Sequence, residues 1–355
     1  MIILGIETSC DETAAAVVTA DGQILSNVIY SQIAIHQPYA GVVPDLAARA
    51  HLEQIDGVVA KAMAEAAIDP SQLHGIAATT GPGLVGGLLI GSQFGKSLAH
   101  VWQKPFYPVN HLEGHALSPR LTPPTQPRIP LPYLLLLTSG GHCQLLAVQA
   151  VGQYHRWGTT LDDAVGEAFD KSARLLGLPY PGGPAIEQAA VGGNPHAYRL
   201  PQPLSHPDYA DSLDFSFSGL KSAVRRLTLE LGEDACKNPQ VIADVAASLQ
   251  HTIASFLAKR AGQAAARFVR LYGTGHCLVM AGGVAANQSI RQAVTLAAAE
   301  HGMGFYAPPM VLCTDNAAMI AWAALERLGA NKAWHSDQPV RPRWPLSEMG
   351  MAEPA

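Results

Sequence analysis

Apolar runs of strand length recur along this chain, and the early ones end in small or polar turns. Residues 1–8 and 14–20 read as two strands around the turn Ser9-Cys10-Asp11-Glu12. Residues 132–138 and 144–150 repeat that plan around Ser139-Gly140-Gly141-His142. Two such hairpins about 130 residues apart predict a duplicated α/β domain, since the spacing is too long for a solenoid repeat. Between them, residues 45–68 carry apolar positions at Ile55, Val58, Val59 and Met63, the stripe of an amphipathic helix. That helix is a candidate partner surface, with core packing as the plainer alternative. A short strand at 76–80 precedes a glycine turn at 81–87 and a helix reaching about Trp102. Residues 119–132 hold six prolines in fourteen positions, which neither a helix nor a central strand accepts, so they read as a linker. Beyond it, Asn238-Pro239 opens a long helix to about Tyr272, and residues 277–281 form a buried strand ending in Gly282-Gly283. A helix follows at about 287–301, and Thr314-Asp315 caps a last one running through Leu328.

At 355 residues two domains are the natural expectation. The 48% hydrophobic and 14% charged composition describes a well-buried chain. A net charge of −5 excludes holding nucleic acid by bulk electrostatics, so such binding needs a local basic patch or a partner. The five cysteines (Cys10, Cys143, Cys236, Cys277, Cys313) are scattered without a Cys-x-x-Cys pair. This argues against a disulfide framework or a cysteine zinc site. No Lys or Arg precedes Arg49, and the glycine-broken apolar run at 82–95 is too short to span a bilayer. The expectation is a cytoplasmic protein without a membrane partner.

His111 and His115 lie four residues apart, on one helix face, and can grip one metal ion. With 14 histidines in the chain, chance pairing is the competing account. Glu113 sits roughly 200° around the helix from His111, so the pair lacks the base of the zinc-protease pattern His-Glu-x-x-His. Asp315 is either a helix cap or the third ligand that such a pair needs. Asp11 and Glu12 are the other carboxylates placed to share its site. Four glycine turns, at 81–87, 139–142, 181–184 and 282–287, suggest backbone amides around a nucleotide between two domains, though none matches a full phosphate fingerprint. Asp170 is either a surface charge or a reader of a sugar hydroxyl. Ser218 reads as a helix cap followed by Lys221, Arg225 and Arg226; with Arg260, Arg267 and Arg270 these are phosphate-binding or simply solvated cations.

Ten motifs together carry a family resemblance: GIETSCDET at 5–13, GVVPDLAARAH at 41–51, GPGLVG at 81–86, HLEGH at 111–115, SGGH at 139–142, DDAVGEAFDK at 162–171, YPGG at 180–183, DFSFSGLK at 214–221, GGVAAN at 282–287 and CTDN at 313–316. The chain resembles, end to end and in order, the bacterial TsaD (YgjD, Gcp) family of tRNA N(6)-adenosine threonylcarbamoyltransferases. The resemblance implies two duplicated ribonuclease-H-like domains of the actin/sugar-kinase/Hsp70 ATPase superfamily around a central cleft. Residues 1–118 with about 305–355 would form the first and residues 119–304 the second. It implies transfer of threonylcarbamoyl from threonylcarbamoyl-AMP to the exocyclic amine of the adenosine beside the anticodon, in tRNAs reading codons that begin with A, with release of AMP. Metal ligands fall on His111, His115 and Asp315, for one divalent ion, iron or zinc. Substrate contacts fall on Leu137, Thr138, Ser139, Gly140, Gly141, Asp170, Gly183, Glu187 and Asn287, for an adenylate or for ATP or AMP. Glu113, Asp11 and Glu12 are candidates for catalytic or supporting roles around the metal. Implied partners are tRNA, a TsaB-like paralogous subunit, a TsaE-like ATPase, a TsaC-like synthase that supplies the donor, and a second copy in a homodimer. Asn110, Thr138 and Glu187 depart from residues common in the family at those places. The rival readings are a metalloendopeptidase, a sugar or acetate kinase of the same superfamily, and a non-catalytic partner.

Overall fold

The computed structural model describes residues 1–232, 234–332 and 336–349. Its strands are β1 Ile2–Glu7, β2 Glu12–Thr19, β3 Ile24–Ser31, β4 Gly75–Gly81, β5 Phe106–Asn110, β6 Tyr133–Thr138, β7 Cys143–Ala150, β8 Gln153–Thr159, β9 Cys277–Ala281 and β10 Gly304–Tyr306. Its helices are α1 Ile33–His36, α2 Pro44–Ala66, α3 Val85–Val101, α4 His111–Leu117, α5 Val165–Leu175, α6 Gly182–Ala189, α7 Ser218–Leu231, α8 Pro239–Tyr272, α9 Gln288–Ala299, α10 Met310–Cys313 and α11 Ala317–Gly329. The chain divides into two units, one of residues 1–131, 148–155 and 308 onward, the other of residues 132–147 and 156–307.

In the first unit a five-stranded sheet runs β3-β2-β1-β4-β5. β1 pairs antiparallel with β2 and parallel with β4, which pairs parallel with β5. Successive side chains of a strand point to opposite faces. Ile3, Ala14, Ala16 and Val18 therefore pack on α11, while Leu4, Ile6, Ala15 and Val17 pack with Ile55, Val58, Val59 and Met63 of α2. Both faces are covered, so the strands read as continuous apolar runs. The stripe of α2 is accordingly core and does not form a partner surface. On the α11 side Gly5 is required by close approach, because a Cβ there would meet Ala317 O at 2.3 Å and Ala321 N at 2.8 Å.

The second unit repeats the order: β10-β9-β6-β7-β8, with β9 parallel to β6 and β10. α8 is long and apolar enough by composition to cross a bilayer, but it is a core helix here, with Leu249, Ile253, Phe256, Leu257 and Phe268 buried. Residues 119–131 group with the first unit, and Leu121 and Ile129 are buried there. Among the described side chains Cys10, Cys143, Cys277 and Cys313 are free thiols; the side chain of Cys236 lies outside the described residues.

Three local expectations are corrected. The cap of α11 is Asn316, whose side chain accepts the Met319 N–H at 3.0 Å, in place of Thr314-Asp315. The start of α7 is held by Asp162, which accepts the Phe217 N–H at 2.8 Å and the Ser218 N–H at 3.2 Å; Ser218 donates its own hydroxyl to the same carboxylate. Arg260 is buried, with its guanidinium on Tyr209 O and Gln263, and so is no phosphate-facing cation.

Candidate metal centre and nucleotide turns

β5 delivers the chain to α4 at Asn110, whose side chain accepts the Leu112 and Glu113 N–H groups and so starts the helix. His111 and His115 then fall on one face, with ring centroids 4.7 Å apart and planes 87° apart. Because Asn316 caps α11, Asp315 is not the cap. Its Oδ1 lies 3.0 Å from His115 Nε2 and 3.6 Å from His111 Nε2. The three ligand atoms lie within 4.8 Å of one another. Ligand bonds of roughly 2.0–2.2 Å separate adjacent donors by about these distances. Two imidazoles and a carboxylate, with further positions open, suit zinc or ferrous iron.

One residue of this site was missed in the sequence. Glu7, last in β1, shares the α11 face with Ile3 and Gly5 by strand alternation. It is fully buried. His111 Nδ1 donates to its Oε2 at 3.0 Å, the Thr79 hydroxyl donates to the same oxygen, and the Ser9 N–H donates to Oε1. Burial pushes the Glu7 carboxyl up, but the charge and hydrogen bond of His111 bring it below its ordinary value. Burial pushes the His111 ring down, and the charges of Glu7 and Asp315 overcome this to raise it to about 9. The available signal was a lone carboxylate ending an apolar strand on its covered face.

Asp11 and Glu12 follow in the β1–β2 turn and its exit. Burial raises the Glu12 carboxyl well above its ordinary range, and the charges of Asp11 and Asp315 raise it further. The three carboxylates are thus close enough to act on one another, an arrangement that a cation relieves. Glu113 points elsewhere. Its Oε1 accepts the Tyr154 hydroxyl at 2.8 Å and pairs with Arg327 at 3.4 Å. Burial raises its carboxyl, with Arg327 and Tyr154 opposing. This is a clamp between α4 and α11, not a group facing the ligand atoms. His51, buried on α2, donates from Nε2 to the Cys10 carbonyl at 3.0 Å, and its Nδ1 accepts the Thr13 hydroxyl at 2.8 Å. Burial lowers its pKa, so it is neutral.

Two amides of the turn at 81–87 are already engaged. Gly83 N–H is taken by Pro342 O and Leu84 N–H by Ser9 O. Gly83, at φ +155°, also lies where a Cβ would meet Ser9 O at 2.6 Å. The glycines here let chain segments touch.

The second unit differs. Leu137 and Thr138 end β6 inside the core, and the Thr138 hydroxyl donates to Ala281 O at 3.3 Å. The following turn exposes Gly140 and Gly141, and Gly166 at the start of α5 packs against Ser139 and Gly140. Asp170 on α5 accepts the Gly182 N–H at 2.6 Å, next to Gly183 at the start of α6. Glu187 on α6 accepts the Gln288 N–H at 2.7 Å, beside Asn287, which caps α9 and donates to Gln250. A continuous run of contacts thus joins these expected substrate residues, near the carboxyl ends of β6 and β9, where α/β sheets take ligands.

The family model for TsaD, described as tRNA N6-adenosine threonylcarbamoyltransferase, matches residues 23–322. A Brucella anthropi protein named tRNA N6-adenosine threonylcarbamoyltransferase is 54% identical over 98% of this chain and 96% of its own length. The Brucella canis protein of the same name is 52% identical over the same shares. Among solved structures, T. kodakarensis HypF aligns with a TM-score of 0.55 at 14% identity, over 94% of this chain and 48% of that one. Component A of (R)-2-hydroxyglutaryl-CoA dehydratase from Acidaminococcus fermentans aligns at 0.52 and 14%, over 93% and 99%. These two likenesses establish the fold alone, the actin-like ATPase type of mixed α/β architecture. On its own sequence relatives, the chain belongs to the TsaD family, the tRNA N6-adenosine threonylcarbamoyltransferases.

Proposed function

We propose that this chain transfers the threonylcarbamoyl group of threonylcarbamoyl-AMP to the exocyclic amine of the adenosine adjacent to the anticodon, in tRNAs reading codons that begin with A. The amine nitrogen bonds to the carbamoyl carbon, the carbon–oxygen bond to phosphate breaks, AMP leaves and the nitrogen sheds a proton. The observation that carries this reading is the convergence of His111, His115 and Asp315 in a chain of this family. These three would hold one divalent ion, iron or zinc. When bound, the ion supplies a Lewis acid for the donor's oxygens.

The chain's own groups do the rest. The exposed Gly140 and Gly141 would offer their amides to the adenylate phosphate. Asp170, Gly183, Glu187 and Asn287 would position its ribose and base; for Glu187 that contact falls to the oxygen not used by Gln288. Asp11 and Glu12, beside Asp315, are the groups that can take the proton from the attacking amine. Glu113 is bound up with Tyr154 and Arg327 and serves to hold α4. The partners that complete the cycle are a TsaB-like subunit, a TsaE-like ATPase and a TsaC-like synthase that makes the donor, with a homodimer as the free state and the cytoplasm as the setting.

The test is transfer of labelled threonine to tRNA with ATP, bicarbonate, the synthase and the two partners, using the wild-type chain or His111→Ala. Label on tRNA with wild type alone, together with loss of bound metal in the variant, is expected. Full labelling by a metal-free His111→Ala chain would overturn the metal assignment. No label with partners of proven activity would overturn the reaction.

A further inference from the structure

We propose that Glu7 is the positioning residue of the metal centre, fixing His111 so that Nε2 is its ligating atom. This inference rests on the metal reading above. Metal-bound histidines commonly donate their other ring nitrogen to a carboxylate or carbonyl, which sets tautomer and ring plane. Glu7 meets that description at 3.0 Å from His111 Nδ1, while His111 Nε2 faces Asp315. The partners around the carboxylate make the arrangement one-way. Oε1 accepts from the Ser9 amide, and Oε2 accepts from Thr79 and His111. Every neighbour of Glu7 in this set acts as a donor to it, so the group must be an acceptor on both oxygens.

Glutamine cannot reproduce this. Its amide NH2 would face either the Ser9 N–H, a donor against a donor, or His111 Nδ1. In the second case Nδ1 becomes an acceptor and the neutral ring carries its proton on Nε2, where it cannot ligate. His115 has no counterpart, since its Nδ1 is buried without a hydrogen-bond partner. The second nitrogen of only one of the two histidines is therefore oriented by the protein; the Ser9 hydroxyl also lies 3.1 Å from that Nδ1, but Glu7 supplies the charged acceptor at 3.0 Å that keeps the proton there.

The full chain would be stripped of metal and titrated with Zn²⁺ as wild type, Glu7→Gln and Thr79→Val. Glu7→Gln is expected to bind zinc about 10–100-fold more weakly, in a chain that still unfolds cooperatively but at a lower metal-free melting temperature, because a buried ion pair with His111 is lost. Thr79→Val, which removes a different donor to the same carboxylate, is expected to stay within about threefold of wild type. Wild-type affinity in Glu7→Gln, or equal weakening in Thr79→Val, would overturn the inference. Should Glu7→Gln fail to fold, nitrogen-15 spectra of the zinc-loaded wild type with labelled histidine decide. An exchange-protected proton on His111 Nδ1 with Nε2 metal-bound is expected; ligation through Nδ1, or a freely exchanging ring proton, overturns it. A wild-type chain that takes up no zinc or ferrous iron would instead remove the metal reading, and this inference with it.

Discussion

His111 Nδ1 and His51 Nε2 both donate to the β1–β2 segment, one to the Glu7 carboxylate and the other to the Cys10 carbonyl. The first ring sits between two carboxylates and is held charged in the absence of metal; for the second, burial outweighs the Cys10 carbonyl and the charges of Glu7 and Asp11, and it is held neutral. The His51 difference makes a pH prediction. Its folded pKa lies below the unfolded value of about 6.5, so the unfolded chain binds the extra proton first. Its contribution to stability is complete above about pH 6.5 and is lost as pH falls through the lower folded value, at up to about 1.4 kcal/mol per pH unit. Urea unfolding of wild type and His51→Gln between pH 7.5 and 5.5 should show a steeper acid loss in wild type; parallel curves would refute it.

Elements hold the candidate ligands through two close contacts. α11 rests on β1 where Gly5 leaves its backbone room, and Asp315 lies two residues before that helix. Gly5→Val should displace α11, lowering stability by about 1–3 kcal/mol and weakening zinc binding although no ligand is touched; unchanged zinc affinity in a destabilised variant would separate the two effects. The second contact is the buried Glu113–Arg327 pair between α4 and α11, completed by Tyr154. Glu113→Ala removes the fully buried carboxylate that Arg327 and Tyr154 share and should cost about 3–5 kcal/mol. By contrast Lys61→Ala, which breaks the exposed Lys61–Glu65 pair, should cost less than about 1 kcal/mol. Denaturant midpoints of the two variants compare these directly, and equal small losses would mean that Glu113 is not a clamp.

For the molecule as a whole, the net charge of −5 leaves little general attraction for a polyanion. Arg260 is removed from the surface, and Arg267 is stacked on Trp157 at 4.5 Å. The isolated chain is therefore expected to bind tRNA weakly, at affinities poorer than about 1 µM in 0.15 M salt, and to gain affinity only with its partner subunits. Fluorescence anisotropy with and without those partners measures this. A sub-micromolar, salt-resistant complex of the chain alone would contradict it. The two sheets share one strand order, which is how a hairpin repeated at long spacing came to signal the architecture.

The sequence by itself determined the family, the fold class and the three candidate metal ligands His111, His115 and Asp315, but not Glu7 beside them. Long apolar runs, helical stripes and glycine turns are local patterns, and ten motifs in order are hard to mistake. It was less informative where local chemistry is ambiguous. β3 places Ser26 and Asn27 mid-strand and β8 reads Gln-Tyr-His-Arg-Trp-Gly-Thr, so neither shows clean alternation, and a Thr-Asp-Asn run offers three residues that could cap a helix. Tertiary structure alone decided that Asn316 takes the cap and Asp315 turns to the histidines. It alone decided that Glu113 faces Arg327, that Gly83 abuts Ser9 and Gly81 abuts Arg341, and that Glu7 lies under His111. The reason is physical. Each of these outcomes depends on which donor from a distant segment arrives beside a buried acceptor, and spacing along the chain does not encode that.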